Sequence, residues 1–188
     1  MEDIREPQTR TRTIAVFAML FAVLGAVVVF AYFATFSRPV TTVILVRHAE
    51  KVLDDPNNQD PDLTPEGFAR AQEIARIFAD AGINAIYATQ YKRTQQTVEP
   101  LSKRIGVPIT LTDAKQPDEL VKRIQTSLRG QIVFISGHND TVPAIASALS
   151  GENFSRIPDT EYDNVFIVTV YRFGKAKVIR LNFGKETS

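Results

Sequence analysis

Apolar residues fall along this chain in two different ways. From Ile14 to Phe36 they run without one charged side chain (IAVFAMLFAVLGAVVVFAYFATF), whereas beyond Val40 they recur in short runs and helical-period segments. A helix rises about 1.5 Å per residue, so the first run is long enough to cross a hydrocarbon layer of roughly 30 Å. A cleaved signal peptide is the alternative; its apolar core usually spans about 7–15 residues, and Val29-Phe30-Ala31 is the best cleavage candidate. Arg5, Arg10 and Arg12 precede the run, and Arg38 alone follows closely. The positive-inside bias therefore predicts a cytoplasmic tail over 1–13 and a transmembrane signal-anchor over 14–36. A linker over 37–41 and an extracytoplasmic domain over 42–188 follow, periplasmic if the cell has two membranes. Tyr32, Phe33 and Phe36 fall at the far interface, where amphipathic rings are favoured.

Beyond the linker the pattern alternates between strand and helix. Thr41–Val46 (TTVILV) reads as a strand buried on both faces. Thr64 can cap a helix with Pro65 in its first turn; Phe68, Ala71, Ile74, Ala75 and Phe78 form the apolar stripe, and Gly82 is its expected stop. Ala85–Ala88 predicts a second strand, followed by a helix over 91–104 that Pro100 should kink or divide. Ile109–Leu111 is a third strand, and Leu120, Val121, Ile124 and Leu128 mark another amphipathic helix. Ile132–Ile135 is a strand leading into Ser136-Gly137-His138; a helix over 141–150 then stops at Gly151. Val165–Tyr171 and Lys177–Phe183 close the chain, joined by a turn around Gly174, close enough for a hairpin in which one strand runs antiparallel. This alternation predicts a three-layer α/β/α sandwich with a mostly parallel sheet, preceded by one transmembrane helix.

Composition narrows the chemistry. The chain of 188 residues has no Cys, 22 Lys+Arg against 21 Asp+Glu, and a formal charge of +1. Disulfide scaffolds and Cys-ligated metal centres are excluded. Eighteen basic and eighteen acidic residues lie beyond Val40, so bulk charge gives no reason to expect a nucleic-acid partner.

The only two histidines each follow an apolar strand: His48 after VILVR and His138 after IVFISG. Ligands of open α/β sheets bind beyond the carboxyl ends of strands, where both imidazoles would emerge. Arg47 and Arg93 stand in similar positions. Arg47 beside His48 disfavours a cation, so no metal is expected, and no cofactor either. An anion fits, because guanidinium forks match phosphate oxygens and imidazole can donate or attack. The helix beginning near Thr141 would add free backbone N–H groups, and neighbouring positive charge would keep His48 neutral. The residues by themselves point to phosphoryl transfer to a histidine.

Four segments resemble one family. Leu45-Val46-Arg47-His48-Ala49-Glu50 resembles the RHG/RHA signature of the histidine phosphatase superfamily, also called phosphoglycerate mutase-like, and Leu63-Thr64-Pro65-Glu66-Gly67 resembles its LTxxG segment. Ala88 through Thr97 (ATQYKRTQQT) resembles its S-x-x-x-R-x-x-Q-T segment, and Gly137 through Pro143 (GHNDTVP) its second-histidine motif. The resemblance implies that His48 becomes a phosphohistidine, while Arg47, Arg93 and His138 hold the phosphoryl oxygens. Thr94 and Thr97 lie near Arg93; Thr94 is the candidate phosphate contact, and local packing is the expected role of Thr97.

The proton donor for the leaving group does not follow from the motifs. Mutase-like members supply a Glu near a Trp-Glu-Gly, but this chain has no Trp, and TLTDAKQPDE over 110–119 does not match that segment. Acid-phosphatase members place Asp directly after the second histidine, where Asn139 stands here before Asp140. Two roles stay open for Asp140, helix cap or acid, and two for Glu50, orienting the site or a solvated loop carboxylate. Asp113 is a more distant candidate. Tyr162 and Asp163 are expected to serve the turn and sheet edge. Lys51, Asp54, Asp55, Asn57 and Asn58 form a polar loop suited to substrate contacts. The short connections resemble the small branch that includes lipopolysaccharide heptose phosphatases and phosphohistidine phosphatases. The expected partners are a phosphorylated small molecule, glycolipid or protein, and a membrane through the N-terminal helix. A mutase-type phosphotransferase and a tethered phosphate-binding scaffold of weak activity are the alternatives.

Overall fold

The structure, a computed structural model, describes residues 6–36, 40–171 and 176–187 and divides into two units, 1–38 and 39–188. The first unit is one helix, α1 (Glu6–Phe36). Its Arg12–Tyr32 stretch is long and apolar enough to cross a membrane, and its side chains are exposed. The expected linker lies largely outside the described residues, as does the tail over 1–5.

The second unit runs β1 (Thr41–Arg47), α2 (Pro65–Phe78), β2 (Ala85–Thr89), α3 (Lys92–Ile105), β3 (Ile109–Thr112), α4 (Pro117–Gln125), β4 (Ile132–Gly137), α5 (Thr141–Ser150), β5 (Asn164–Val170) and β6 (Lys177–Asn182). The sheet order is β3-β2-β4-β1-β5-β6. β3, β2, β4 and β1 are mutually parallel; β5 is antiparallel to both of its neighbours, as the closing hairpin suggested. Alternate side chains of the strands bury against opposite layers. Leu45, Ile135 and Phe166 pack with α4 and α5 residues such as Leu120, Ile124 and Ile145. Ile44, Ile86 and Phe134 pack with Ile74, Phe78, Val98 and Leu101 of α2 and α3. The result is a three-layer α/β/α sandwich.

Three local expectations need correction. Pro100 sits inside α3 without dividing it: burial of Val98 and Leu101 on either side outweighs the one lost i→i−4 hydrogen bond. α2 ends at Phe78 with Ala79 as its cap; Gly82, at φ 68°, serves the turn that follows. Phe68 is 44% exposed and lies off the buried stripe, where Gly67, Arg70 and Ala71 take its place. The turn at Gly174 is outside the described residues.

One register relation positions everything that follows. β1 and β4 pair in parallel with Arg47 opposite Gly137, so the chain leaves both strands at the same sheet edge and His48 and His138 emerge side by side. β2 pairs with β4 through Ala88 and Ser136, which brings Thr89 to the same edge.

Candidate active site

The edge opens into a pocket of about 540 Å³ whose lining includes Arg47, His48, Arg93 and His138. The two imidazoles lie 5.5 Å apart between ring centroids, at 67°. His48 is fixed twice: its backbone N–H donates to Gly137 O at 2.9 Å, and its ring Nδ1 donates to Ala49 O at 2.8 Å. A carbonyl can only accept, so the proton sits on Nδ1 and Nε2 keeps its lone pair, with no hydrogen-bond partner among the described residues. Burial, reinforced by Arg47, His138 and Arg93, pushes the His48 pKa down to about 3. The ring is neutral at pH 7. Burial matters more here than the neighbouring charge that the sequence suggested.

His138 is held through its other face. Thr94 Oγ1 lies 2.8 Å from Tyr91 O and 3.1 Å from Thr89 O, so its single proton goes to a carbonyl. Thr89 Oγ1, 2.8 Å away, must then donate to Thr94 and accept from His138 Nε2 at 3.0 Å. Nδ1 of His138 is left without a partner among the described residues. Burial and Arg93 push this imidazole down to about 4. Thr94 is fully buried and does not line the pocket. The expectation that it touches phosphate is corrected: it acts on Thr89, which acts on His138.

The guanidinium groups are set by the two walls. Arg47 Nη1 donates to Pro158 O at 2.7 Å and Glu161 O at 2.8 Å, and its guanidinium lies 4.2 Å above the Tyr162 ring. Arg93 stacks on Tyr91 at 4.4 Å and lies 3.8 Å from Asp60. Desolvation lowers the pKa of both from the usual guanidinium value. Nε of each is buried without a hydrogen-bond partner among the described residues. An orphaned buried donor costs roughly 1–3 kcal/mol.

The remaining candidates divide. Asp140 lines the pocket, and its Oδ1 also accepts the Thr141 N–H at 2.7 Å. The helix α5 does not offer the free N–H groups that were expected. Thr141 N bonds to Asp140, Val142 N to His138 O and Ala144 N to Asp140 O, while Pro143 has none. Glu50 turns away: Arg70 donates to both its oxygens, Nε at 3.0 Å to each and Nη2 at 2.7 Å. The same Arg70 reaches Phe183 O and Lys185 O, so Glu50 clamps the loop after β1 to α2 and the C-terminal segment instead of facing the pocket. Asp113 holds its own turn through Lys115 N and Gln116. Thr97 accepts from Ala49 N and donates to Arg93 O, tying the His48 loop to α3. Asp55 and Asn58 bond within their own loop, whereas Lys51 lines the pocket.

Sequence reading missed two parts of the wall. Tyr162, expected at a turn, stacks under Arg47 and stands 6.1 Å from the His48 ring. Asp159 and Arg156 come from the same segment; Asp159 takes the Asn139 amide and lies 3.4 Å from Arg156. Asp163, by contrast, serves the sheet edge through Thr187 and Asn182.

Comparison with known proteins follows the same lines. Residues 43–116 match the model of the histidine phosphatase superfamily, branch 1. A protein of Hydrogenobacter thermophilus named "Putative phosphoserine phosphatase 2" is 23% identical over 189 residues, covering 73% of this chain and 93% of its own length. Among solved structures, the "putative phosphohistidine phosphatase SixA" of Agrobacterium tumefaciens superposes with a TM-score of 0.59 at 24% identity, over 77% of this chain and 99% of that one. The protein histidine phosphatase SixA complexed with tungstate superposes at 0.62 and 16% identity, over 75% of this chain and 96% of that one. The likenesses to solved structures show the fold.

Proposed function

We propose that the chain is a member of the histidine phosphatase superfamily, whose model matches residues 43–116, and that it hydrolyses phosphate monoesters or phosphohistidine through a covalent intermediate on His48. One observation carries the reading: His48 presents a bare Nε2 to a pocket that also collects Arg47, Arg93 and His138. Arg47 and Arg93 bind non-bridging oxygens of the entering phosphoryl group, with His138 beside them. Nε2 attacks phosphorus, the bond to the leaving oxygen breaks, and Nδ1–H keeps its bond to Ala49 O while the ring gains charge. Water then attacks phosphorus and the electron pair of the P–N bond returns to Nε2. Preorganised donors of this kind contribute about 10²–10³ each to the rate.

The rim supports a bulky substrate. Asp159 is 76% exposed and Leu53 is 73% exposed, and both line the pocket, so its mouth is open to solvent. A phosphate carried on an envelope sugar, a glycolipid or a protein can reach His48. A mutase that must retain its intermediate would need this mouth closed. The apolar Arg12–Tyr32 helix supports a single-pass anchor in the cell inner membrane, and the arginines before it favour a cytoplasmic N-terminus with the catalytic unit outside.

The test is hydrolysis of p-nitrophenyl phosphate by the full chain in detergent. His48→Ala abolishes turnover, and Arg93→Ala lowers kcat/KM by about 10²–10³. Substantial activity in His48→Ala would overturn the nucleophile assignment.

A further inference from the structure

The proposed reaction uses His48, His138, Arg47 and Arg93, yet the pocket holds more positive charge than one phosphate monoester needs. Its lining carries five cationic side chains (Arg47, Lys51, Arg93, Lys115 and Arg156) against two carboxylates, Asp140 and Asp159. With both imidazoles neutral, three positive charges are in excess. A phosphate monoester brings at most about two negative charges; a diphosphate brings about three, at roughly 1.5 for each phosphate.

Lys51 is where the excess is least explained. Its backbone is pinned by a bridge to Leu63, and its side chain is half-buried on the pocket wall. Among the described residues no carboxylate lies within 4 Å of it or of Lys115, which is exposed, whereas Arg47, Arg93 and Arg156 each have an acidic neighbour at the distance of an ion pair. Burial, and then the positive charges of Arg93 and Arg47, lower its pKa from the usual ammonium value, with Asp159 opposing them only weakly. A half-buried ammonium beside two guanidinium groups is unfavourable unless an anion joins them.

The second observation concerns the leaving group. An alkoxide needs a proton from a poised acid, a contribution of typically about 10²–10⁴. The carboxylates of this pocket are engaged otherwise: Asp140 by the Thr141 N–H, Asp159 by Asn139 and Arg156. A leaving phosphate requires no such proton and is stabilised by a cation instead.

Resting on the phosphatase reading, we infer that Lys51 forms a second anion subsite and that the preferred substrate is a phosphoric anhydride of diphosphate type. His48 Nε2 bonds to the terminal phosphorus, the P–O bond to the bridging oxygen breaks, and that oxygen keeps the electron pair. The released phosphate leaves as an anion beside Lys51, with no proton supplied by the protein. Water then cleaves the P–N bond, so one anhydride and one water give two phosphates.

The experiment compares inorganic pyrophosphate, phenyl phosphate and p-nitrophenyl phosphate with the full chain in detergent, using wild type, Lys51→Met and Lys51→Arg. Expected is a kcat/KM for pyrophosphate about tenfold or more above that for phenyl phosphate. Lys51→Met should lower the pyrophosphate to p-nitrophenyl phosphate ratio about tenfold, and Lys51→Arg should restore most of it. Pyrophosphate no better than phenyl phosphate, or a ratio unmoved by Lys51→Met, overturns the subsite while leaving the phosphatase reading intact. No turnover of any of the three, with no phosphate on His48, overturns both.

Discussion

Thr89 Oγ1 stands 3.0 Å from His138 Nε2 and accepts its proton, with Thr94 behind it at 2.8 Å. This chain of hydroxyls decides which nitrogen of His138 remains available. Thr89→Val keeps the shape and removes the acceptor, leaving a buried N–H unpaired at a cost of roughly 1–3 kcal/mol. Expected is a fall in kcat of about tenfold or more and a displaced pH profile, restored by Thr89→Ser. An unchanged pH profile would make Thr89 a packing residue only.

Gly67 is the second position where one atom decides. A Cβ there would fall 2.2 Å from the backbone oxygen of Glu50, which also accepts the Thr64 N–H at 2.9 Å. Alanine ordinarily favours a helix over glycine by about 1 kcal/mol; here Gly67→Ala should cost about 1–3 kcal/mol instead. Activity should fall with it, because Glu50 follows His48 and Ala49 directly. Thermal melts and p-nitrophenyl phosphate turnover check both effects; a raised melting temperature would contradict the close contact.

Stability should depend on pH through the imidazoles. Their folded values, about 3 for His48 and about 4 for His138, lie below the unfolded value of about 6.5. Between these values the unfolded chain binds more protons, so stability is complete above about pH 6.5 and is lost as pH falls toward 4. For one such group the loss between pH 7 and 5 is roughly 1–2 kcal/mol. Urea unfolding followed by tyrosine circular dichroism should show a shallower acid slope in His138→Gln than in wild type. Equal slopes would mean that His138 is not held neutral.

Asp140 separates two roles by its leaving-group dependence. The carboxylate both lines the pocket and caps α5. Asparagine preserves an accepting oxygen for Thr141 N, so Asp140→Asn should slow phenyl and p-nitrophenyl phosphate by similar factors, each below about tenfold. A much larger loss with phenyl phosphate would assign Asp140 as the proton donor.

The positions of His48 and His138 were legible because a parallel pair of apolar strands carries its following residues to one edge. The directions of neighbouring side chains were not. Consecutive residues on a helix point about 100° apart, so Arg93 faces the pocket while Thr94, beside it in the same motif, faces β2. Glu50 was drawn away by Arg70, twenty residues on, and a motif cannot announce which partner will take its carboxylate. Tyr162 lies far along the chain from Arg47, and no local pattern links a turn tyrosine to a strand-end arginine. Pro100 does not divide α3, because the burial of Val98 and Leu101 beside it offsets its local cost.

The most direct test is a rapid-quench reaction of the full chain with a ³²P-labelled substrate. Phosphate stable in alkali and labile in acid should appear on the peptide bearing His48, decay as product forms, and be missing from His48→Ala. Turnover without that label, or label that persists in His48→Ala, would contradict a phosphohistidine at this position.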